Sequence, residues 1–314
     1  MSQPSTETPA IVAEEVHTGI CELPVDFFQK HQVLKTWSVG GNTLMRVKGS
    51  LCPSFAVNTG LHFTQSNGQQ FLASVEEVAG GSDVVVLRLV PNYMDSLFQI
   101  SGITARNVEQ CFLLDAILNP KIDLVIARGV AGSGKTLVSM AGATYLVRSP
   151  SSTISGVTIV RTFVSISNEI GFLPGTKQDK ISPWMRAVSD NMPLLRSNKP
   201  ANGKGRKSLD PHAGVFEFED MGVMQGSSLH NRIVFIDEAQ NLTKKQMAIM
   251  LTRAGEGSKV ILLGNKYCVD TKTSYEFTGL AHAWNSAKGW EHATRLELRN
   301  CERSRLARWA NMHF

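Results

Sequence analysis

Residues Gly129 to Thr136 read Gly-Val-Ala-Gly-Ser-Gly-Lys-Thr, which sets glycines, a lysine and a hydroxyl at the spacing of a loop that cradles phosphate. The residue types suit that chemistry. Gly129, Gly132 and Gly134 let the chain turn tightly, so that its amides, with those of Val130, Ala131 and Ser133 between them, converge on phosphate oxygens. Lys135 adds a point charge for the β and γ phosphates of a nucleoside triphosphate. The Thr136 hydroxyl suits Mg²⁺, a hard cation that takes oxygen ligands and keeps most of its water.

A second cluster follows an apolar run. Ile233 to Ile236 reads as a buried strand and leads directly into Asp237-Glu238-Ala239-Gln240-Asn241. A carboxylate at that point is where a phosphate-loop enzyme holds Mg²⁺, which assigns Asp237 to the metal and Glu238 to the attacking water. Lys259 to Leu263 forms another apolar run and ends in Gly264-Asn265, so Asn265 is the candidate γ-phosphate sensor. Gln110, at the start of a helical pattern, can offer an amide donor and acceptor to an adenine edge. The terminal segment carries Arg295, Arg299, Arg303, Arg305 and Arg308, one of which could reach γ phosphate in its own or a neighbouring subunit.

These residues need elements to position them. Ile122 to Ala127 suits a buried parallel strand ahead of the phosphate loop, and the apolar residues from Leu137 to Val147 suit a helix after it. An amphipathic helix is expected over Cys111 to Leu118. Val157 to Val160 reads as a further strand, Thr243 to Gln246 as a capping-box helix start, Leu280 to Lys288 as helix and Thr294 to Leu298 as strand. Residues 1–19 read as a flexible tail and 20–91 as a small β-rich domain with strands over Thr43–Val47, Phe71–Val78 and Val84–Val90. Residues 92–106 read as a linker with a short helical piece, and 107–314 as the phosphate-loop domain. Trp37, Phe55, Phe63 and Phe71, near Lys35, Arg46 and Lys48, fit either a core or a stacking surface for single-stranded nucleic acid. The basic stretch from Arg196 to His212 fits either a phosphate-backbone contact or a solvated linker.

Composition sets wider bounds. The chain has 314 residues, 42% of them apolar, enough for one large domain and a smaller one. A net charge of +5 is compatible with a polyanionic partner without demanding one. Cys21, Cys52, Cys111, Cys268 and Cys301 show no paired spacing, which argues against a disulfide framework or zinc cluster and points to a reducing cytoplasm. Neither a membrane span nor an export signal is expected.

In their order along the chain, Gln110, the phosphate loop, Gly-Phe-Leu-Pro-Gly at Gly171 to Gly175 with Lys180 and Pro183, Ile236 to Asn241, and Leu-Thr-Arg-Ala-Gly at Leu251 to Gly255 resemble the PhoH-like family. The resemblance covers about Asn107 to Ala307. It implies a RecA-like core related to superfamily-one helicases: an α/β fold with a mainly parallel sheet flanked by helices, preceded here by the β-rich segment. It further implies ATP hydrolysis with Mg²⁺, action on single-stranded RNA, and a ring oligomer, expected to be a hexamer. Matched by position, Gln110 resembles the adenine reader, Lys135 and Thr136 the phosphate and Mg²⁺ residues, Asp237 and Glu238 the Mg²⁺ and catalytic carboxylates, and Arg303 the late arginine near γ phosphate. The chain departs from the family where Met-Arg-Gly-Arg becomes Met224-Gln225-Gly226-Ser227. It departs again where Gly-Asp and a later glutamine become Gly264-Asn265-Lys266-Tyr267-Cys268. Those departures favour a competing reading, a nucleotide-gated RNA- or protein-binding oligomer with weak or no hydrolysis. A small-molecule kinase ranks third, since no second substrate pocket or lid can be read. The acidic cluster of the nuclease domain that some family members carry is not found, so no RNase activity is expected.

Overall fold

A computed structural model describes residues 19–23, 26–50, 55–64, 68–79, 83–161, 190–195, 215–220, 228–269 and 273–313. Among the described residues, twelve strands form two sheets of six.

The first sheet holds β1 (Ile20–Leu23), β2 (Gln32–Val39), β3 (Asn42–Lys48), β4 (Gly60–Thr64), β5 (Gln70–Val78) and β6 (Val84–Val90) in the order β1-β4-β5-β6-β3-β2. All neighbours are antiparallel except β1 and β4. Period-two alternation sends Val47, Ala73, Val75, Val85 and Leu87 to one face, where they meet Phe27 of the short helix α1 (Phe27–Lys30), Phe55 and Phe63. Phe63 stacks on Phe71 at 4.5 Å between ring centroids. Of the two readings of the aromatics, Phe55 and Phe63 are therefore core, while Trp37 is half-buried on the outer hairpin.

The second sheet is parallel throughout: β7 (Leu124–Gly129), β8 (Gly156–Arg161), β9 (Phe216–Asp220), β10 (Arg232–Asp237), β11 (Lys259–Gly264) and β12 (Ala293–Leu298), ordered β12-β7-β11-β10-β8-β9. Its central strands are apolar on both sides because helices cover both faces. Val125, Ala127, Ile233, Phe235, Ile261 and Leu263 face α2 (Val108–Leu118) and α3 (Lys135–Arg148). Leu124, Ile126, Val234, Ile236, Val260 and Leu262 face α4 (Lys244–Leu251) and α5 (Gly279–Ser286). The capping box forms at the start of α4: Gln246 N donates to Thr243 Oγ1 at 3.3 Å, and Thr243 N donates to Gln246 Oε1 at 2.9 Å.

The amphipathic expectation for α2 is corrected by the structure. Gln110 to Ile117 are all buried, so the helix has no solvent face. A helix buried all round must be enclosed. Here the outer face of the first sheet contributes Leu72 and Val90, and the parallel sheet contributes the opposite wall. Between Pro91 and Arg106 the short helical piece is a single turn at Ser96–Phe98, and Tyr93, Ile100 and Ala105 are buried against the same core.

Polar contacts lock the first sheet to α2. Arg88 on β6 donates to both carboxylate oxygens of Asp115 at 2.8 and 2.7 Å, and its Nε donates to Glu76 at 2.6 Å. Lys121 reaches the other oxygen of Glu76 at 2.8 Å. Burial works against the guanidinium charge, but the two carboxylates outweigh it and hold the Arg88 pKa above its ordinary value.

Candidate functional site

The carboxyl ends of the parallel strands converge on one edge, the place where open α/β sheets bind ligands. The phosphate loop leaves β7 there and ends at the N-terminus of α3. Gly132 and Gly134 take left-handed φ values of 77° and 84°, which side chains with a Cβ disfavour. Gly129 is small for another reason: a Cβ on it would strike the backbone carbonyl of Leu298 in the neighbouring strand β12.

Lys135 folds back over the loop, its Nζ donating to the carbonyl of Gly129 at 2.8 Å, to that of Val130 at 3.0 Å and to Ser133 Oγ at 3.3 Å. Burial lowers its pKa to about 8, against an opposing pull from the carboxylates of Glu238 and Asp237. That pull brings Lys135 and both carboxylates into one electrostatic site. Thr136 is half-buried in the first turn of α3, where helix amides and dipole favour anions.

Asp237 ends β10, paired in register with Arg161 of β8 and buried. Strand β11 separates β10 from β7, so the carboxylate strand stands about 10 Å from the phosphate-loop strand at ordinary sheet spacing. Glu238 follows with φ 52° and ψ 40°, a left-handed conformation rare for a residue with a long side chain. Such strain, about 1–3 kcal/mol, persists where surrounding contacts enforce it. Here the Glu238 amide donates to Asp237 Oδ1 at 3.1 Å, and Gln240 Nε2 donates to Glu238 Oε2 at 2.7 Å.

Gln240, in the run that follows β10, connects the two halves of the site. Fully buried, it also donates to the Cys268 carbonyl at 2.9 Å and accepts from the Asn265 amide at 3.0 Å. One side chain therefore joins the carboxylate pair to the turn after β11. In that turn the Asn265 side chain is engaged locally, donating to Cys268 Sγ at 3.1 Å and accepting from Tyr267 N at 3.1 Å.

Gln110 is buried at the start of α2. Its Nε2 donates to the Ser133 carbonyl at 2.9 Å, and its Oε1 accepts from Arg106 N at 2.8 Å, so it ties the helix to the phosphate loop. Arg303 is exposed, with its Cβ within 2.9 Å of where a Cβ on Gly132 would stand. Its segment clasps the loop from behind: Glu302 N donates to the Gly132 carbonyl at 2.9 Å, Asn107 Nδ2 reaches Glu302 Oε1 at 2.8 Å, and Asn311 of α6 (Arg305–His313) donates to the Ala131 carbonyl at 2.9 Å. No short-range sequence signal marks that clasp, since Asn107 and Glu302 meet across most of the domain. Gly171 to Gly175, Lys180, Pro183, the basic stretch over 196–212, Gln225 and Ser227 lie outside the described residues.

A phosphate loop on a central parallel strand, and a carboxylate pair on β10 with one strand between, define a RecA-like phosphate-loop fold. The chain belongs to the PhoH-like protein family, whose model matches residues 102–314. Protein PhoH2 of Bacillus subtilis is 34% identical over 242 residues, which covers 76% of this chain and 52% of that protein. The PhoH-like protein of the same organism is 32% identical over 176 residues, 56% of this chain and 52% of that one. The chain thus spans about half the length of the curated relatives it matches. Among solved structures, the large terminase of a thermophilic bacteriophage aligns with a TM-score of 0.43 at 14% identity, over 66% of this chain and 50% of that one.

Proposed function

We propose that the protein binds ATP with Mg²⁺ at the Gly129–Thr136 loop, hydrolyses it, and couples that cycle to single-stranded RNA. The observation that carries the reading is the glycine loop closed on Lys135 after β7, with the Asp237–Glu238 pair following β10 at the same carboxyl edge of the sheet. The Thr136 hydroxyl and the Asp237 carboxylate form an oxygen-only donor pair, which fits Mg²⁺. When bound, the cation supplies charge neutralisation to the phosphates.

The protein's own residues do the rest. Loop amides and the α3 N-terminus bind the phosphates, and Lys135 exchanges its carbonyl partners for phosphate oxygens. Glu238 accepts a hydrogen bond from water and orients the water oxygen toward the γ phosphorus. The water oxygen bonds to the γ phosphorus as the bond from that phosphorus to the β-bridging oxygen breaks, and the water proton passes to Glu238 or a phosphate oxygen and then to solvent, yielding ADP and phosphate. Gln240 holds Glu238 in place and carries the state of the site to the Asn265–Cys268 turn. Arg303, beside Gly132, is the arginine best placed to follow movements of the loop. The ring oligomer and cytoplasmic setting implied by the family resemblance belong to the same proposal.

The Lys135 pKa gives a direct test. A lysine held at about 8 takes up a proton when it meets phosphate at higher pH, so affinity must fall as pH rises through that value. The phosphates add little to this trend, because their own last ionisation lies near pH ~6. Isothermal titration with Mg·ATP should show nearly constant affinity from pH 7 to about 8, then a loss approaching tenfold per unit. Lys135→Ala should bind far more weakly and without that pH dependence. Wild-type affinity that stays level up to pH ~9.5 would show that Lys135 is not held near 8. Lys135→Ala that binds as tightly as wild type would contradict its role.

A further inference from the structure

Between Asp26 and Glu76 the chain contains no acidic residue, but it contains Lys30, Lys35, Arg46 and Lys48. In the fold this one-signed stretch supplies the hairpin of β2 and β3 at the open edge of the first sheet. Lys30 is paired with Asp26, and Lys48 with Asp83. Lys35 and Arg46, both exposed, enter no ion pair among the described residues.

These two cations lie on the sheet face that carries α2. Lys35 pairs with Arg46 and Trp37 with Leu44, while Leu44 pairs in turn with Arg88, whose side chain reaches α2. Among the described residues, α2 covers this face over β6 and β2 stays largely exposed. Lys35 Nζ and the Arg46 guanidinium stand 5.7 and 5.9 Å from the Trp37 ring centroid, at the loose end of cation–π range. Toward α2 the same face runs into a cavity of about 380 Å³ whose lining includes Asn42, Leu44 and Tyr93, with the carboxylates Glu76 and Asp115 in it neutralised by Arg88 and Lys121.

We infer that this half-face, from Lys35, Trp37 and Arg46 into the cavity beside α2, is a docking surface for single-stranded nucleic acid. Two unpaired cations beside an indole match a phosphate backbone next to a base that stacks. The cavity has room for an adjoining base and offers Asn42 to its polar edge. A duplex keeps its bases stacked on one another and could not use the indole. The inference gives a location to the RNA coupling proposed above and rests on that reading.

The test is fluorescence anisotropy with a labelled oligouridylate and an oligothymidylate of equal length, across a salt series and without nucleotide. Trp37→Ala should weaken binding about tenfold, since stacking is worth roughly 1–3 kcal/mol per base, and should leave the salt slope unchanged. Lys35→Ala/Arg46→Ala should weaken binding and lower the slope of log affinity against log salt by about 1.4, near 0.7 per phosphate contact on a single strand. Mg·ATP affinity and the thermal melt should match wild type in all variants, which reports an intact fold. Strand binding by wild type that these variants reproduce, with the same slope, would overturn the surface while leaving RNA coupling standing. Failure of the wild-type protein to bind either strand would overturn both.

Discussion

Replacing Arg88 with methionine is expected to destabilise the protein by about 3–5 kcal/mol, the usual cost of removing one partner from a buried ionic cluster. Arg88 satisfies both oxygens of Asp115 and one of Glu76, and its side chain and that of Asp115 are each 9% exposed. Methionine would fill much of the volume but leave two carboxylates facing each other with little water. The loss should therefore shrink when the charge on α2 is removed as well: Arg88→Met/Asp115→Leu should recover a large part of it, because replacing a whole buried cluster by apolar groups is often near neutral. Urea unfolding followed by circular dichroism measures both variants. The pH dependence has a definite sign. Glu76 is pulled below its ordinary 4.5 by Lys121 and Arg88 against the effect of burial. Its contribution is thus present above the unfolded-state value and is lost as pH falls through the folded one. Arg88→Met should flatten that acid limb. A single variant as stable as wild type would show that the two sheets are held together by apolar packing alone.

Glu238→Gln is expected to abolish turnover while leaving ATP binding nearly intact. Glutamine keeps the shape and one hydrogen-bonding oxygen but cannot orient water as a carboxylate does, and losses of 10²-fold or more are usual for such positioned groups. Binding should survive because the phosphates are held by loop amides and by Lys135, whose Nζ is positioned by the Gly129 and Val130 carbonyls and Ser133 Oγ. Removing the negative charge should also lower the Lys135 pKa further, since Glu238 is the stronger of the two carboxylates holding it up. Single-turnover hydrolysis and equilibrium titration of the same preparation separate the two effects. A variant that hydrolyses at the wild-type rate would remove Glu238 from the chemistry.

The central strands β7, β10 and β11 were legible because strands buried on both faces must be apolar almost without interruption. The loop was legible because its glycines, lysine and threonine are constrained at fixed spacing. Strands β1, β2 and β4 escaped notice: β2 is largely exposed, with polar residues scattered along it, so neither period nor composition announces it. Strand β9, Phe-Glu-Phe-Glu-Asp, does alternate, but it is short and lies at the sheet edge. Helix α2 misled for a different reason. Its near-unbroken apolar run reflects enclosure by two sheets, and only knowledge of the second layer turns an amphipathic expectation into a buried one. At the site, the roles of Gln240 and Glu302 depend on contacts made after the chain has folded. A buried glutamine bonded to both a carboxylate and a distant turn leaves no local pattern in the sequence.

The central claim is that nucleotide chemistry at the phosphate loop is coupled to a nucleic-acid strand. Steady-state ATP hydrolysis with Mg²⁺, measured with and without single-stranded RNA beside Lys135→Ala, tests it most directly. Turnover that RNA stimulates in the wild-type protein, and that is lost in Lys135→Ala, is the expected result. Tight ATP binding with no turnover in the presence or absence of RNA would contradict it, and would instead support a nucleotide-gated binding protein in which Asn265 and Cys268 have replaced the machinery of fast hydrolysis.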